Sequence, residues 1–198
     1  MRIHPTAIIE NDVQIGPDCE IGAYAVIKQF TRLGARNRVF EHAVIGGEPQ
    51  DVKFKGEPSY LEIGDDNIFA NEVALAGHIT IEDHVFLSNN VGAHQFVRMG
   101  RYAMVGGKSK IVQDVLPFFI TDGNPARLRG VNSVGLKRAG FDDDARRALK
   151  NAYRTLFRSA LPLEEALARL AGADDENIRH LIRFIRGSKR GFTTDKRE

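Results

Sequence analysis

The chain has 198 residues, a formal net charge of +2, 42% hydrophobic and 27% charged residues, the balance of a globular protein built as one large domain or one domain with an appendage. A single cysteine, Cys19, excludes an internal disulfide; no apolar run approaches the roughly 18 residues that span a membrane; and Met1-Arg2-Ile3-His4-Pro5 opens no signal-peptide apolar region, so a cytoplasmic protein is expected. Residues 1–126 carry 11 Lys and Arg against 16 Asp and Glu, whereas residues 127–198 carry 17 against 10, which joins an acidic first part to a basic end suited to an acidic partner.

From the N-terminus the pattern repeats every six residues. Aliphatic residues head successive hexads at Ile3, Ile9, Ile15, Ile21, Ile27, Leu33, Val39 and Ile45. The phase breaks over 46–62 and resumes at Ile63, Phe69, Leu75, Ile81, Leu87, Ala93, Met99, Val105 and Ile111. The residue four after each head is mostly small or β-branched, as at Ala7, Val13, Cys19, Ala25, Val73, Val85 and Val91. Gly often follows the head, as at Gly16, Gly22, Gly34, Gly64, Gly100 and Gly106. Six is neither the helix period nor simple strand alternation. It fits a triangular parallel coil with one short strand and one turn per side, heads and +4 residues pointing inward, and Gly, Asn and Asp relaxing the corners. Three hexads make an 18-residue coil, so the 17 hexads give about six. Cys19 is then a buried small residue.

Pro117 ends the repeat, a connector runs over 117–131, and helices follow over 132–198. The first long one starts after Asp142 as N-cap, with Ala145, Leu149, Ala152 and Leu156 at helical spacing. Pro162 opens the next, which Gly172 stops, and a further one carries Ile178, Leu181, Ile182 and Ile185 up to Gly187. The tail from Phe192 is expected to fray. The helices would cover the open sheet edge at the end of the coil. The domain reading is therefore a β-helix over 1–116 with a loop insertion at 46–62, the connector, and a helical domain.

Five segments are more specific than the hexads: the loop Gly47-Glu48-Pro49-Gln50-Asp51-Val52-Lys53-Phe54-Lys55-Gly56-Glu57-Pro58, the pieces Leu75-Ala76-Gly77-His78 and Ala93-His94-Gln95-Phe96, the segment Asp122-Gly123-Asn124-Pro125-Ala126, and Gly130-Val131-Asn132-Ser133-Val134-Gly135-Leu136-Lys137-Arg138. In this order they resemble the UDP-N-acetylglucosamine acyltransferases of lipid A biosynthesis, over nearly the whole chain. The resemblance implies that the coil is left-handed, against the usual right-handed crossover. It also implies a homotrimer with sites in clefts between neighbouring β-helices. The activity it implies is transfer of a 3-hydroxyacyl group from acyl carrier protein to the 3-hydroxyl of UDP-N-acetylglucosamine. The acyl group would be carried on the phosphopantetheine of that protein, with no cofactor of the enzyme's own, no metal and no nucleic acid.

In that family a His oriented by a carboxylate takes the hydroxyl proton, and a backbone N–H stabilises the oxyanion. Carried onto this chain, Gly77 is the oxyanion donor, His78, His94 and Gln95 are cleft contacts, and Asp51, Lys53, Asn132 and Arg138 contact the nucleotide or sugar. The chain departs from the pattern where it matters most. It lacks the coils that carry the family's His–Asp pair, and one more nearer the N-terminus. Ser59 and Tyr60 stand one coil below Gly77 and His78, Val134 replaces a Glu, and Ala139 replaces an Arg. His78 is then the substitute base. His84 has Asp83 beside it, though adjacent residues need not face each other, and His4, His42 and His180 read as surface residues. The competing expectations are a catalytically silent trimer that binds or regulates, and an acyltransferase for another nucleotide sugar.

Overall fold

The structure is a computed structural model and describes residues 1–49, 52 and 54–195. Asp51 and Lys53 lie outside the described residues. Among the described residues seventeen short strands from Arg2–Ile3 to Lys110–Ile111 wind as a left-handed parallel β-helix of about six coils. The first face stacks strands that include Arg2–Ile3, Arg38–Val39 and Phe86–Leu87, the second Ile8–Ile9 to Lys110–Ile111, and the third Gln14–Ile15 to Arg98–Met99. Partners in neighbouring coils are 18 residues apart, as Ile3 with Ile21 and Leu75 with Ala93.

The hexad heads form the core: Ile27, Ile45, Phe69, Leu87, Val105 and Ile111 are fully buried. The first coil has nothing beneath it, so Ile3 is exposed and Ile9 and Ile15 are only half-buried. Cys19 is buried, and its thiol donates to the Gly34 carbonyl. One corner carries a polar ladder. Asn37 Nδ2 donates to the carbonyls of Gly34 and Gly64 at 2.9 and 2.8 Å, its Oδ1 accepts from the Asn67 N–H at 2.9 Å, and Asn67 Oδ1 accepts from the Val85 N–H at 2.7 Å. The Asn37 amide bridges backbone groups of adjacent coils, whereas Asn67 is tied through Oδ1 alone and its buried Nδ2 has no hydrogen-bond partner.

The corners differ from the expectation that Gly, Asn and Asp relax them. Among the described residues fifteen non-glycine residues have positive φ, from Asp12 to Lys108 at every sixth position of the repeat and then Phe118, and they include Tyr24, Phe30, Arg36, His42, His78 and Tyr102. Those within the repeat sit three after their heads, and from Arg36 onward their N–H groups bond back to the coil below, as Tyr102 N–H to the Asp83 carbonyl at 3.1 Å. Those bonds and the stacking of corner side chains offset a left-handed backbone costing about 1–2 kcal/mol per residue. Gly16, Gly22, Gly34, Gly64, Gly100 and Gly106, which follow heads, are not in that region. A Cβ on Gly16 would meet the Gly34 carbonyl carbon at 2.5 Å, and one on Gly100 would meet Pro117 N at 2.5 Å. They are glycine because the neighbouring coil presses on them there, with backbone at Gly16 and Gly22 and with aspartate side chains at Gly64 and Gly106.

The strand Val44–Gly47 and the strand Leu61–Ile63 bracket the loop, so the excursion itself covers 48–60. The segment after Pro117 is not a plain connector. Phe119–Asp122 extends the first face above Met104–Val105 and pairs antiparallel with Arg127–Val131. Among the described residues four helices follow: α1 (Ser133–Arg138), α2 (Asp143–Phe157), α3 (Leu163–Ala171) and α4 (Glu176–Arg186). Asp142 caps α2 by accepting the Ala145 N–H at 2.7 Å, Pro162 precedes α3, and Gly172 and Gly187 end α3 and α4. They enclose a second core with Phe118, Phe119, Leu149, Leu167 and Leu181, and no helix among the described residues is long and apolar enough to cross a membrane.

Two expectations are corrected here. The tail does not fray through Asp195. Phe192 bridges Asp114, Thr193 is buried, the Thr194 carbonyl accepts from the Leu128 N–H at 3.1 Å, and Asp195 pairs with Arg158 at 2.9 Å. His180 is not an ordinary surface residue either. Its Nε2 lies 2.8 Å from Glu82 Oε2, and its ring meets Phe118 edge-on, which fastens α4 to the coil.

Candidate functional site

The loop leaves and rejoins the coil at one corner, and the site is built around that point. Gly47 and Tyr60 flank the excursion in the same register as Gly77 and His78 one coil later. The Gly77 N–H donates to the Gly47 carbonyl at 2.9 Å, and the His78 N–H donates to the Tyr60 carbonyl at 2.8 Å. Ser59 packs directly beneath Gly77, where a Cβ would lie 2.5 Å from Ser59 Cβ. The stacking of Ser59 under Gly77 and Tyr60 under His78 follows the 18-residue spacing. No His or carboxylate occupies either place.

His78 belongs to an aromatic ladder along this corner. Its ring stacks on Phe96 with centroids 4.7 Å apart and planes 14° from parallel, and Tyr60 below it packs on Phe30 at 5.3 Å. His78 Nε2 is buried and has no hydrogen-bond partner. A buried, unpaired ring nitrogen is costly, so this nitrogen is a natural place for a ligand or partner to bond. Glu57 in the loop lies close enough to feel His78. Its carboxylate is held below the usual range by its own N–H, by the Lys55 N–H and then by that imidazole.

His94 is exposed two residues before Phe96, with Nδ1 at 3.3 Å from the Gln95 carbonyl. Val44, Gly47, Ala74, Gly92, His94 and Gln95 line a groove of about 410 Å³ on the outer surface of the second face. Gly77, His78, His94 and Gln95 are thus brought together at one corner. The oxyanion role of Gly77 meets a correction, because its N–H is already given to Gly47.

Asn132 and Arg138 lie elsewhere. Asn132 caps α1 through Gly135 N–H at 3.1 Å, and its Nδ2 donates to the Tyr102 carbonyl at 2.9 Å. Tyr102 stands on the corner with His84 and Asp66, not the one with His78. Arg138 is exposed at the end of α1. A single chain does not bring these two residues to His78. His84 Nε2 lies 3.9 Å from Asp66, one coil below, rather than facing Asp83.

Sequence reading missed a third cluster beside His78, made by Phe96, Arg98, Asp114, Lys189 and Arg190. Its members come from the last coils and from the segment after α4, far apart in sequence, which leaves no local signature. Among the described residues no three His, Cys, Asp or Glu side chains converge as metal ligands would.

The profile of UDP N-acetylglucosamine O-acyltransferase, domain 2, matches residues 114–193. The chain is 38% identical over 256 positions to the acyl-[acyl-carrier-protein]–UDP-N-acetylglucosamine O-acyltransferase of Anaeromyxobacter dehalogenans, covering 98% of this chain and 100% of that one. The enzyme of the same name from Paraburkholderia phymatum is 35% identical over 258 positions, with 96% and 98% covered. The crystal structure of UDP-N-acetylglucosamine O-acyltransferase from Moraxella catarrhalis aligns with a TM-score of 0.69 at 35% identity, over 98% of this chain and 100% of that one. An alignment of 256 positions against 198 residues leaves the relative with segments that have no counterpart here, about three coils' worth.

Proposed function

This chain belongs to the UDP-N-acetylglucosamine O-acyltransferase family, as a form shortened within the coil, and from that premise we propose that it transfers a 3-hydroxyacyl group from acyl carrier protein to the 3-hydroxyl of UDP-N-acetylglucosamine, the first step of lipid A biosynthesis. The observation that carries the reading is the end-to-end alignment at 38% identity, helices included. The acyl group arrives on the phosphopantetheine of its carrier, no resident cofactor is needed, and the reaction belongs in the cytoplasm. The basic C-terminal part gives the acidic carrier a surface to meet.

The working unit of this reading is a homotrimer, which the outer surfaces of the coil favour. Ile8, Val26, Val44, Ala74 and Gly92 point outward from the second face, and Ile68, Phe86 and Met104 from the upper first face. Gln14, Arg32, Glu62, Thr80 and Arg98 line the third. Two different apolar surfaces and one polar surface per chain suit a closed ring in which each copy presents one surface to each neighbour. Such a ring would bring Asn132 and Arg138 of one copy toward the His78 corner of the next.

In the reaction His78 takes the proton of the sugar hydroxyl, and the oxygen attacks the thioester carbonyl. The tetrahedral intermediate then expels the thiolate, which recovers the proton. His94 and Gln95 hold the substrates in the groove, while Asp51 and Lys53 reach them from the loop. For Gly77 to serve the oxyanion, the Gly47 carbonyl must release its N–H.

One observation favours a second reading. Ser59 and Tyr60 occupy the places where the resemblance puts catalytic side chains, so a silent, binding homologue would look the same from outside, as would one acting on another nucleotide sugar. The purified protein is incubated with UDP-N-acetylglucosamine and 3-hydroxyacyl carrier proteins of several chain lengths. Turnover that His78→Ala lowers by about 100-fold or more, in the range of a lost general base, supports the transfer reading. Nucleotide-sugar binding without turnover supports the silent one, and a monomer in sedimentation removes the shared-cleft site.

A further inference from the structure

Where the end of α4 returns to the coil, His78, Phe96, Arg98, Asp114, Lys189 and Arg190 wall a cavity of about 450 Å³. The charges of this wall do not balance. Asp114 is 1% exposed, and its carboxylate is fully engaged. It accepts from the Arg98 backbone N–H at 2.8 Å, from the Arg98 guanidinium at 3.0 and 2.8 Å, and from the Ser188 hydroxyl at 2.8 Å. Arg98 is therefore its counter-charge, held in place by the Phe184 carbonyl at 2.8 Å and lying 4.3 Å over the Phe184 ring.

Gly187 fits the same clamp, since a Cβ there would come within 3.1 Å of the Arg98 guanidinium. Lys189 and Arg190 have no carboxylate partner among the described residues. Arg190 Nε donates to the Val112 carbonyl at 3.1 Å. The cavity thus holds two uncompensated cations on a rigid base, beside a histidine whose Nε2 is buried and unpaired.

We infer that this cavity binds a phosphate group of a substrate. A cavity with two spare positive charges and several N–H donors suits an anionic, acceptor-only group. The inference rests on the acyl-transfer reading only in naming the sources. Both substrates of that reaction carry phosphate, one as a nucleotide diphosphate and the other as the phosphodiester of the acyl carrier's prosthetic arm.

The test is direct binding to the full chain by calorimetry, using UDP against uridine and 4′-phosphopantetheine against pantetheine. Wild type is compared with Lys189→Ala and Lys189→Glu, an exposed position whose melting temperature is expected to stay unchanged. One phosphorylated probe should bind about tenfold more weakly to Lys189→Ala, the loss expected of one charged hydrogen bond, and more weakly still to Lys189→Glu. Its dephosphorylated counterpart should bind all three proteins alike. The probe that responds identifies the source. Equal binding of both phosphorylated probes to Lys189→Glu and wild type overturns the inference, as does an equal loss for the dephosphorylated probes. A protein without turnover that still shows the Lys189-dependent preference removes the acyl-transfer reading and leaves this one standing. An active protein without that preference does the reverse.

Discussion

Position 77 is glycine for want of space. Its backbone is outside the left-handed region, so alanine meets no dihedral penalty there, but the new Cβ would press on Ser59, 2.5 Å from its Cβ. Gly77→Ala should therefore cost about 1–3 kcal/mol, the usual range for overpacking. Ser59→Gly in the same chain should recover most of it. Urea unfolding of the single and double variants measures both. A single variant as stable as wild type would mean that Ser59 does not sit under Gly77. The pair also sets what the site can do, because the close approach of Ser59 and the Gly77–Gly47 hydrogen bond fix the backbone beside His78.

At the scale of elements, α4 is tied to the coil by Glu82, which accepts His180 Nε2 at 2.8 Å and the Arg101 N–H at 2.7 Å. Burial alone would push this carboxyl up, but the two hydrogen bonds outweigh it and hold Glu82 below the usual range. A depressed carboxyl contributes its stability above the unfolded value and loses it as pH falls through the folded one. The contribution is therefore present at neutral pH and fades below about pH 4.5. Glu82→Gln should lower stability at pH 7 by about 1–3 kcal/mol and flatten the decline between roughly pH 5 and 3. Thermal melting across that range checks it, and parallel acid limbs in the two proteins would count against the role of Glu82. This contact shows why part of the fold was not legible in sequence. Heads such as Ile27, Phe69 and Ile111 announce themselves because each repeats its neighbour six residues on. Asp142 and Gly187 announce the helix ends because capping is local. Glu82 and His180 are 98 residues apart and share no pattern, so His180 reads as surface. The corners mislead for a different reason. Phe30, His42 and Tyr102 are poor left-handed residues by local propensity, and only the bonds and stacking across coils make them acceptable. At the site, the resemblance brought out Gly77, His78, His94 and Gln95, but it could not show that the Gly77 N–H was spoken for.

At the scale of the whole molecule, the chain behaves as an array in which coils can be present or absent. Up to the strand Lys110–Ile111 the partner spacing is 18 residues except across the loop, where Leu33 pairs with Ile63 at a spacing of 30. The excess is two hexads. Joining Gly47 to Tyr60 would place Tyr60 at the corner position, Leu61 at the inward +4 position and Ile63 as the next head, so the loop is an in-frame insertion. The same arithmetic explains how the chain can lack about three coils relative to its relatives and still close its core, since each coil rests only on its neighbours. Deleting residues 48–59 should accordingly leave an intact β-helix, with a melting temperature within a few degrees of wild type, because shortening a loop costs little once its ends already meet. The same deletion removes Asp51 and Lys53, so the affinity for UDP-N-acetylglucosamine should fall by at least about tenfold, as for the loss of one or more charged hydrogen bonds. Circular dichroism and calorimetry on the deleted protein separate the two effects. If the protein fails to fold, the loop is part of the coil's core rather than an insertion. If it folds and binds the nucleotide sugar as wild type does, the loop is no part of the site.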